Sequence, residues 1–224
     1  MNMEKKFELT DNFIINAFGV KLFQIKCTKS FKYAKEGDLG GYVEKDENLD
    51  QESDAWVSGN AEVSGDAWVS GDARVSGDAW VSGNAEVSGD AWVSGNAEVS
   101  GNARVYGYAE VAGNARVAGN ACVAGNARVA GNAWVSGNAR VYGYAEIDNN
   151  NKHCGFDCFG SANRHTHAYL TKENKVEITC GCFRGSIEEF EKRVEETHSG
   201  TIYEKQYKAI IDVIKIKFGL TDLI

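Results

Sequence analysis

Between Ala55 and Ala145 an alanine returns at every sixth position, and two residues after each stands a valine, from Val57 to Val141, with Ile147 in the last place. Sixteen such units follow one another without a gap, and all but the last read A-x-V-[SAY]-G-[DNY]. A period of six fits neither the 3.6-residue helix nor the strict alternation of a hairpin sheet; it fits a coil in which short strands and turns alternate. Within each strand, alternation sends Ala and Val inward and the residue between them outward. Glycine recurs in phase from Gly59 to Gly143, and with the Asp or Asn that usually follows it makes the corner, a conformation that branched side chains resist.

The flanks are less regular. Val43 and Leu49, also six apart, predict a leading coil joined to Val57 by an irregular eight-residue step. With just over five coils in the repeats, spaced about 4.8 Å apart, the rod is roughly 25 to 30 Å long and needs both ends covered. Residues 1–48 are read as the first cover: FIINAFGVKLFQIKCTKSF predicts two strands joined around Asn16 to Gly19, and EGDLGGYVE a glycine-rich turn. Residues 148–224 are read as a small α+β domain. There HTHAYL and KVEITCGCF predict strands, and Ser186 with Glu189 predicts a capping box opening a helix with Ile187, Phe190 and Val194 inward. Gly200 ends it, and a second amphipathic helix carries Tyr203, Tyr207, Ile210, Ile211, Ile214 and Phe218 on one face.

In V-S-G-D-A-W, the aliphatic residue, two-residue turn and small residue together resemble the hexapeptide-repeat family. The resemblance spans residues 49–147 and implies a mainly β fold: a left-handed parallel β-helix of triangular section, eighteen residues per coil. It implies little about function, since that fold carries acyltransferases and binding proteins alike. The opening LGGYVEKDENL, the repeats and the closing CGCFRGSIEEFEKRVEETH also look like a group of bacteriophage and prophage proteins. That likeness implies an accessory phage protein acting in the host cytoplasm.

Charge narrows the partners. A net charge of −8 disfavours nonspecific binding to nucleic acid or to an anionic membrane, and the chain has no long apolar run and no secretory-type opening. Its six cysteines, two of them isolated at Cys27 and Cys122, read as free thiols in a reducing cytoplasm. Stacking every eighteenth residue gives three outward ladders in which like charges never adjoin. Glu98 with Arg116, Glu110 with Arg128, and Arg74 between two tryptophans are the expected contacts. Acids concentrate at the N-terminal end of the rod. Asp54, Asp72 and Asp90 share one corner, and Asp54, Trp56, Glu62, Asp66, Trp68, Asp72, Asp78, Trp80, Glu86, Asp90 and Trp92 are the candidate contacts for a host protein with a basic surface. The plainer reading of the same residues is that the ladders hold register and the acids keep exposed tryptophans soluble.

Chemistry is sparse. Residues 54–147 contain no histidine, no lysine and no extruded loop, so the general base of a hexapeptide acyltransferase is missing. All four histidines and four cysteines lie beyond residue 150. Cys154, Cys158, Cys180 and Cys182 are a candidate zinc set of poor spacing, with buried apolar thiols as the commoner alternative. In GSANRHTH, Ser161, Asn163, Arg164, His165 and His167 are a candidate phosphate or nucleotide cluster, against the plainer reading of a solvated strand edge. The expected function is a non-enzymatic phage-type binding protein without cofactor, a counter-defence inhibitor of the anti-CRISPR kind, forming a dimer or trimer. The rival expectations are a nucleotide-binding sponge, a polymer-forming structural rod and an acyltransferase.

Overall fold

The computed structural model describes residues 5–220. The repeats form a three-sided parallel β-solenoid in which each unit contributes a two- to four-residue rung strand to one of three faces. On the first face Val43, Val63, Val81, Val99, Val117 and Val135 stack in register. Leu49 leads the second face, ahead of Val69, Val87, Val105, Val123 and Val141. The third runs Val57, Val75, Val93, Val111, Val129, Ile147. Val43 and Leu49 therefore do form a leading coil, and the irregular step to Val57 takes up two extra residues.

Alanine and valine from every unit are buried and form one continuous column. A column this narrow admits only small side chains at the Ala position, which is why the pattern never varies there. In most units the outward residue, the small residue before glycine and the corner residue send their N–H groups one coil onward. Trp56 donates to the Ala73 carbonyl, Ser58 to Val75 and Asn60 to Gly77, at 2.9–3.0 Å. The first coil therefore has carbonyls without donors, and the last has N–H groups without acceptors.

Each end is closed by the complementary group. At the start, the Lys6 ammonium donates to the Ser53 and Ala55 carbonyls, both at 2.7 Å. The buried Asn48 amide donates to Gly65 at 3.0 Å and Ala67 at 2.8 Å. Burial pushes the Lys6 ammonium down to about 8. At the finish, Trp134 N–H meets the Asn150 side-chain oxygen at 2.8 Å and Tyr142 N–H meets the Tyr169 hydroxyl at 3.2 Å. Tyr169 is fully buried and plugs the column from below, as Phe7 and Ile25 do from above.

The N-terminal segment is an antiparallel hairpin, β1 (Phe7–Ile15) and β2 (Lys21–Cys27), followed by β3 (Leu39–Val43). The expected turn in EGDLGGYVE is instead largely this third strand, antiparallel to β2 on one side and parallel to the Glu62–Val63 rung on the other. Gly40 and Gly41 make that possible: a Cβ on Gly40 would lie 2.6 Å from the Val57 carbonyl oxygen, and one on Gly41 2.6 Å from that of Ala61.

The C-terminal unit is an antiparallel sheet of β4 (His153–Phe159), β5 (Arg164–Leu170), β6 (Val176–Cys180) and β7 (Phe183–Gly185), in that order. Helices α1 (Ile187–His198) and α2 (Ile202–Lys217) pack on it through Ile187, Phe190, Val194, Tyr207, Ile210, Ile211 and Ile214. The Ser186–Glu189 capping box opens α1 as expected. Strand β4 was not signalled by the hydropathy pattern, and KVEITCGCF divides into two strands at Gly181, whose φ is 61°.

Candidate functional site

The outward ladders exist as the period predicts. Trp56, Arg74, Trp92, Glu110, Arg128 and Glu146 stack on the third face. The first face carries Glu62, Trp80, Glu98, Arg116 and Trp134, and the second Trp68, Glu86, Arg104, Cys122 and Arg140. Ion pairs join Glu86 to Arg104 at 3.1 Å, Glu98 to Arg116 at 3.5 Å and Glu110 to Arg128 at 3.6 Å. Exposed as they are, each contributes about 0.2–1 kcal/mol, enough to fix register without dominating stability.

The corners add a second device. Asn84, Asn102, Asn120 and Asn138 hand one amide hydrogen bond from coil to coil at 3.0–3.1 Å, and Asn96, Asn114 and Asn132 do the same on another corner. These residues were legible only as turn formers. A repeat of eighteen makes them neighbours, and neighbouring amides pair as donor and acceptor.

The acidic end differs from the expectation because the N-terminal segment wraps two of its faces. Phe18, at the hairpin tip, stacks on Trp80 at 4.7 Å on the first face, and Glu62 there is held up from the usual carboxylate range by burial. On the third face Phe31 packs edge-on to Trp56 at 5.4 Å, leaving it 5% exposed. Trp56 is thus buried within the wrap, and Trp80 is largely covered. Arg74 lies against Trp92 at 4.7 Å and against Tyr33 at 5.3 Å, so its second ring comes from the wrap.

The wrap also neutralises. Lys45 pairs with Asp66 at 2.7 Å and Lys32 with Asp72 at 2.6 Å, while Asp78 accepts from Asn60 at 3.0 Å. The stacked carboxylates of Asp54, Asp72 and Asp90 are therefore separated in charge by lysine, with Asp54 in the field of Lys6. Asp90 makes no ion pair among the described residues.

The wrap thus covers Trp56 and Trp80, while Trp92 higher on the third face stays 38% exposed and the second face and the corner beside it stay bare. Trp68 is 46% exposed, and on the corner that carries Asp54, Asp72 and Asp90 stand Tyr108 and Tyr144, 68% and 64% exposed. Both tyrosines sit where Asp or Asn usually makes the turn, so the repeat pattern does not mark them as contacts.

Beyond residue 150 the clusters resolve into structural parts. No group of three or more His, Cys, Asp or Glu among the described residues is placed to hold a metal ion. Cys158 and Cys182 are exposed, Cys180 is buried beneath the Thr166 hydroxyl, and burial pushes the Cys154 thiol up to about 11. The zinc set is thus not assembled. Nor is GSANRHTH a sheet edge: β5 lies between β4 and β6. Ser161 and Asn163 occupy the exposed turn into β5. His167 is buried, with a ring nitrogen 3.0 Å from that of His153 and the other 3.4 Å from the Arg140 carbonyl, so it fastens the sheet to the rod. Burial takes His153 down to about 4 and His167 to about 3. His165 is held by Asp157 at 2.7 Å and lies over Gly155, where a Cβ would meet its ring at 2.7 Å. Of the cluster, Arg164 alone presents an unpaired charge to solvent among the described residues.

No helix among the described residues is long and apolar enough to cross a membrane. No curated protein matches the chain. Residues 67–83 match the YdcK Beta solenoid repeat, a stretch that contains three successive rungs, Trp68–Val69, Arg74–Val75 and Trp80–Val81, one on each face. By that match and by its stacked coils, the protein is a β-solenoid.

Proposed function

We propose that this solenoid is a non-enzymatic binding protein of the phage accessory type, a counter-defence inhibitor that occupies a basic surface of a host protein in the cytoplasm. The observation that carries the reading is the asymmetry of the wrap: it covers Trp56 and Trp80, while Trp68 on the second face stays open, with Asp90 and Tyr108 on the corner beside that face and Trp92 open beyond the corner. Exposed Trp and Tyr are residue types that dominate interface hot spots, and the unpaired Asp90 carboxylate suits a basic partner. The partner surface is accordingly narrower than the eleven candidate residues suggest.

Affinity purification from the natural host tests this. One host protein should co-purify with the native chain and be lost with Trp68→Ala and with Asp90→Lys, while Trp134→Ala on another face retains it. Recovery without a partner, or equal recovery with all three variants, would refute the reading. Self-association belongs to the same proposal: among the described residues the outer edge of β1 has no partner strand, with Phe13 and Ile15 exposed, and light scattering should report a mass above that of one chain.

A further inference from the structure

Between α1 and the β6–β7 end of the C-terminal sheet lies a cavity of about 520 Å³, the size of an ordinary small-molecule site. Its apolar floor is a chain of rings. Phe183 packs on Phe190 at 5.0 Å, Phe190 on Tyr207 at 5.6 Å, and Tyr207 on His198 at 5.5 Å with the planes nearly parallel. Phe183 and His198 remain partly open to solvent, so the floor is reachable.

Cations line the rim. Arg164 and Lys192 make no ion pair among the described residues, and Arg193 holds Glu196 only at 3.9 Å. The remaining charges are already engaged: Arg184 grips Glu177 through two nitrogens, and Glu189 closes the α1 capping box. Arg164 is set by the turn beneath it, since a Cβ on Gly181 would lie 2.8 Å from its side chain. On the other side of that turn Arg140 donates to the Gly181 carbonyl at 3.0 Å. In a chain of net charge −8, uncompensated cations over an aromatic floor are the complement of an anion that carries a flat ring.

We infer that this cavity binds a nucleoside monophosphate, with the base against the Phe183–His198 floor and the phosphate between Arg164 and Lys192. The inference is independent of the partner surface on the rod. Calorimetric titration of the full chain with AMP and GMP tests it, alongside adenosine and inorganic phosphate as the two halves of the ligand. At least one nucleotide should bind at least 10-fold more tightly than either half. Arg164→Ala and Lys192→Glu, both at exposed positions, should each weaken it at least 10-fold. Phe183→Ala should weaken the nucleotide and leave phosphate unchanged, with melting curves confirming that each variant is folded. No binding of AMP or GMP at millimolar concentration overturns the site. Phosphate binding as tightly as the nucleotide overturns the role given to the rings, and unchanged affinity in Arg164→Ala and Lys192→Glu overturns the location.

Discussion

Gly83 has a φ of 69°, and a Cβ on it would lie 3.0 Å from the carbonyl oxygen and 3.1 Å from the nitrogen of Gly101 in the next coil. Gly137 has nearly the same φ, 67°, but nothing within 4 Å, because it belongs to the last coil. The two separate conformational strain from stacking. Gly137→Ala should cost about 1 kcal/mol, the ordinary penalty for a left-handed alanine, and Gly83→Ala about 1–2 kcal/mol more, read from denaturant melts. The histidine pair sets a second test at this scale. Unfolded, His153 and His167 take up protons near pH 6.5; folded, they resist until about 4 and about 3. The unfolded chain therefore binds more protons in between, so stability is full above about pH 6.5 and falls as the pH drops towards 4. Thermal melts from pH 7 to 4 should show this loss, and His167→Gln should flatten its slope.

At the scale of the element, the rod's ends explain which residues outside the repeat matter most. Asn48 spans the gap at the first coil, donating to two carbonyls and accepting from Lys45 N–H at 3.0 Å. Asn48→Ala should cost on the order of 2–3 kcal/mol, since it leaves these buried groups unpaired, and hydrogen exchange should show the first coil opening before the rest. The rod itself was legible in the sequence because its contacts are between copies of one unit: once Val57 is read, Val75 and Val93 follow by counting. The wrap was not, since Phe18 on Trp80 and Phe31 on Trp56 join residues that share no pattern. The same holds for the cavity. Ser186 and Glu189 announce α1, but no spacing announces that Arg164 and Lys192 will face one floor. Histidine crowding suggested ligand chemistry where packing has turned His167 into a fastener.

For the whole molecule, near-identity of the coils means that length is adjustable. Removing residues 82–99 joins Val81 to Ser100 in phase and brings Trp80 beside Arg116, Trp68 beside Arg104 and Arg74 beside Glu110, so no like charges meet. This shortened chain should fold cooperatively, and its maximum dimension in X-ray scattering should fall by about 4.8 Å, one coil. Loss of cooperative melting would contradict the nearest-neighbour picture.

The same unit structure governs orientation. Gain or loss of six residues in mid-rod leaves both end structures on coils like their own, yet turns one against the other by a third of a revolution, whereas eighteen residues change separation alone. Recombination between such similar units can therefore move the N-terminal wrap and the C-terminal cavity through a discrete set of spacings and azimuths, as settings on a dial. A lineage carrying this rod can explore the geometry of its contacts by counting units, without altering a single core residue.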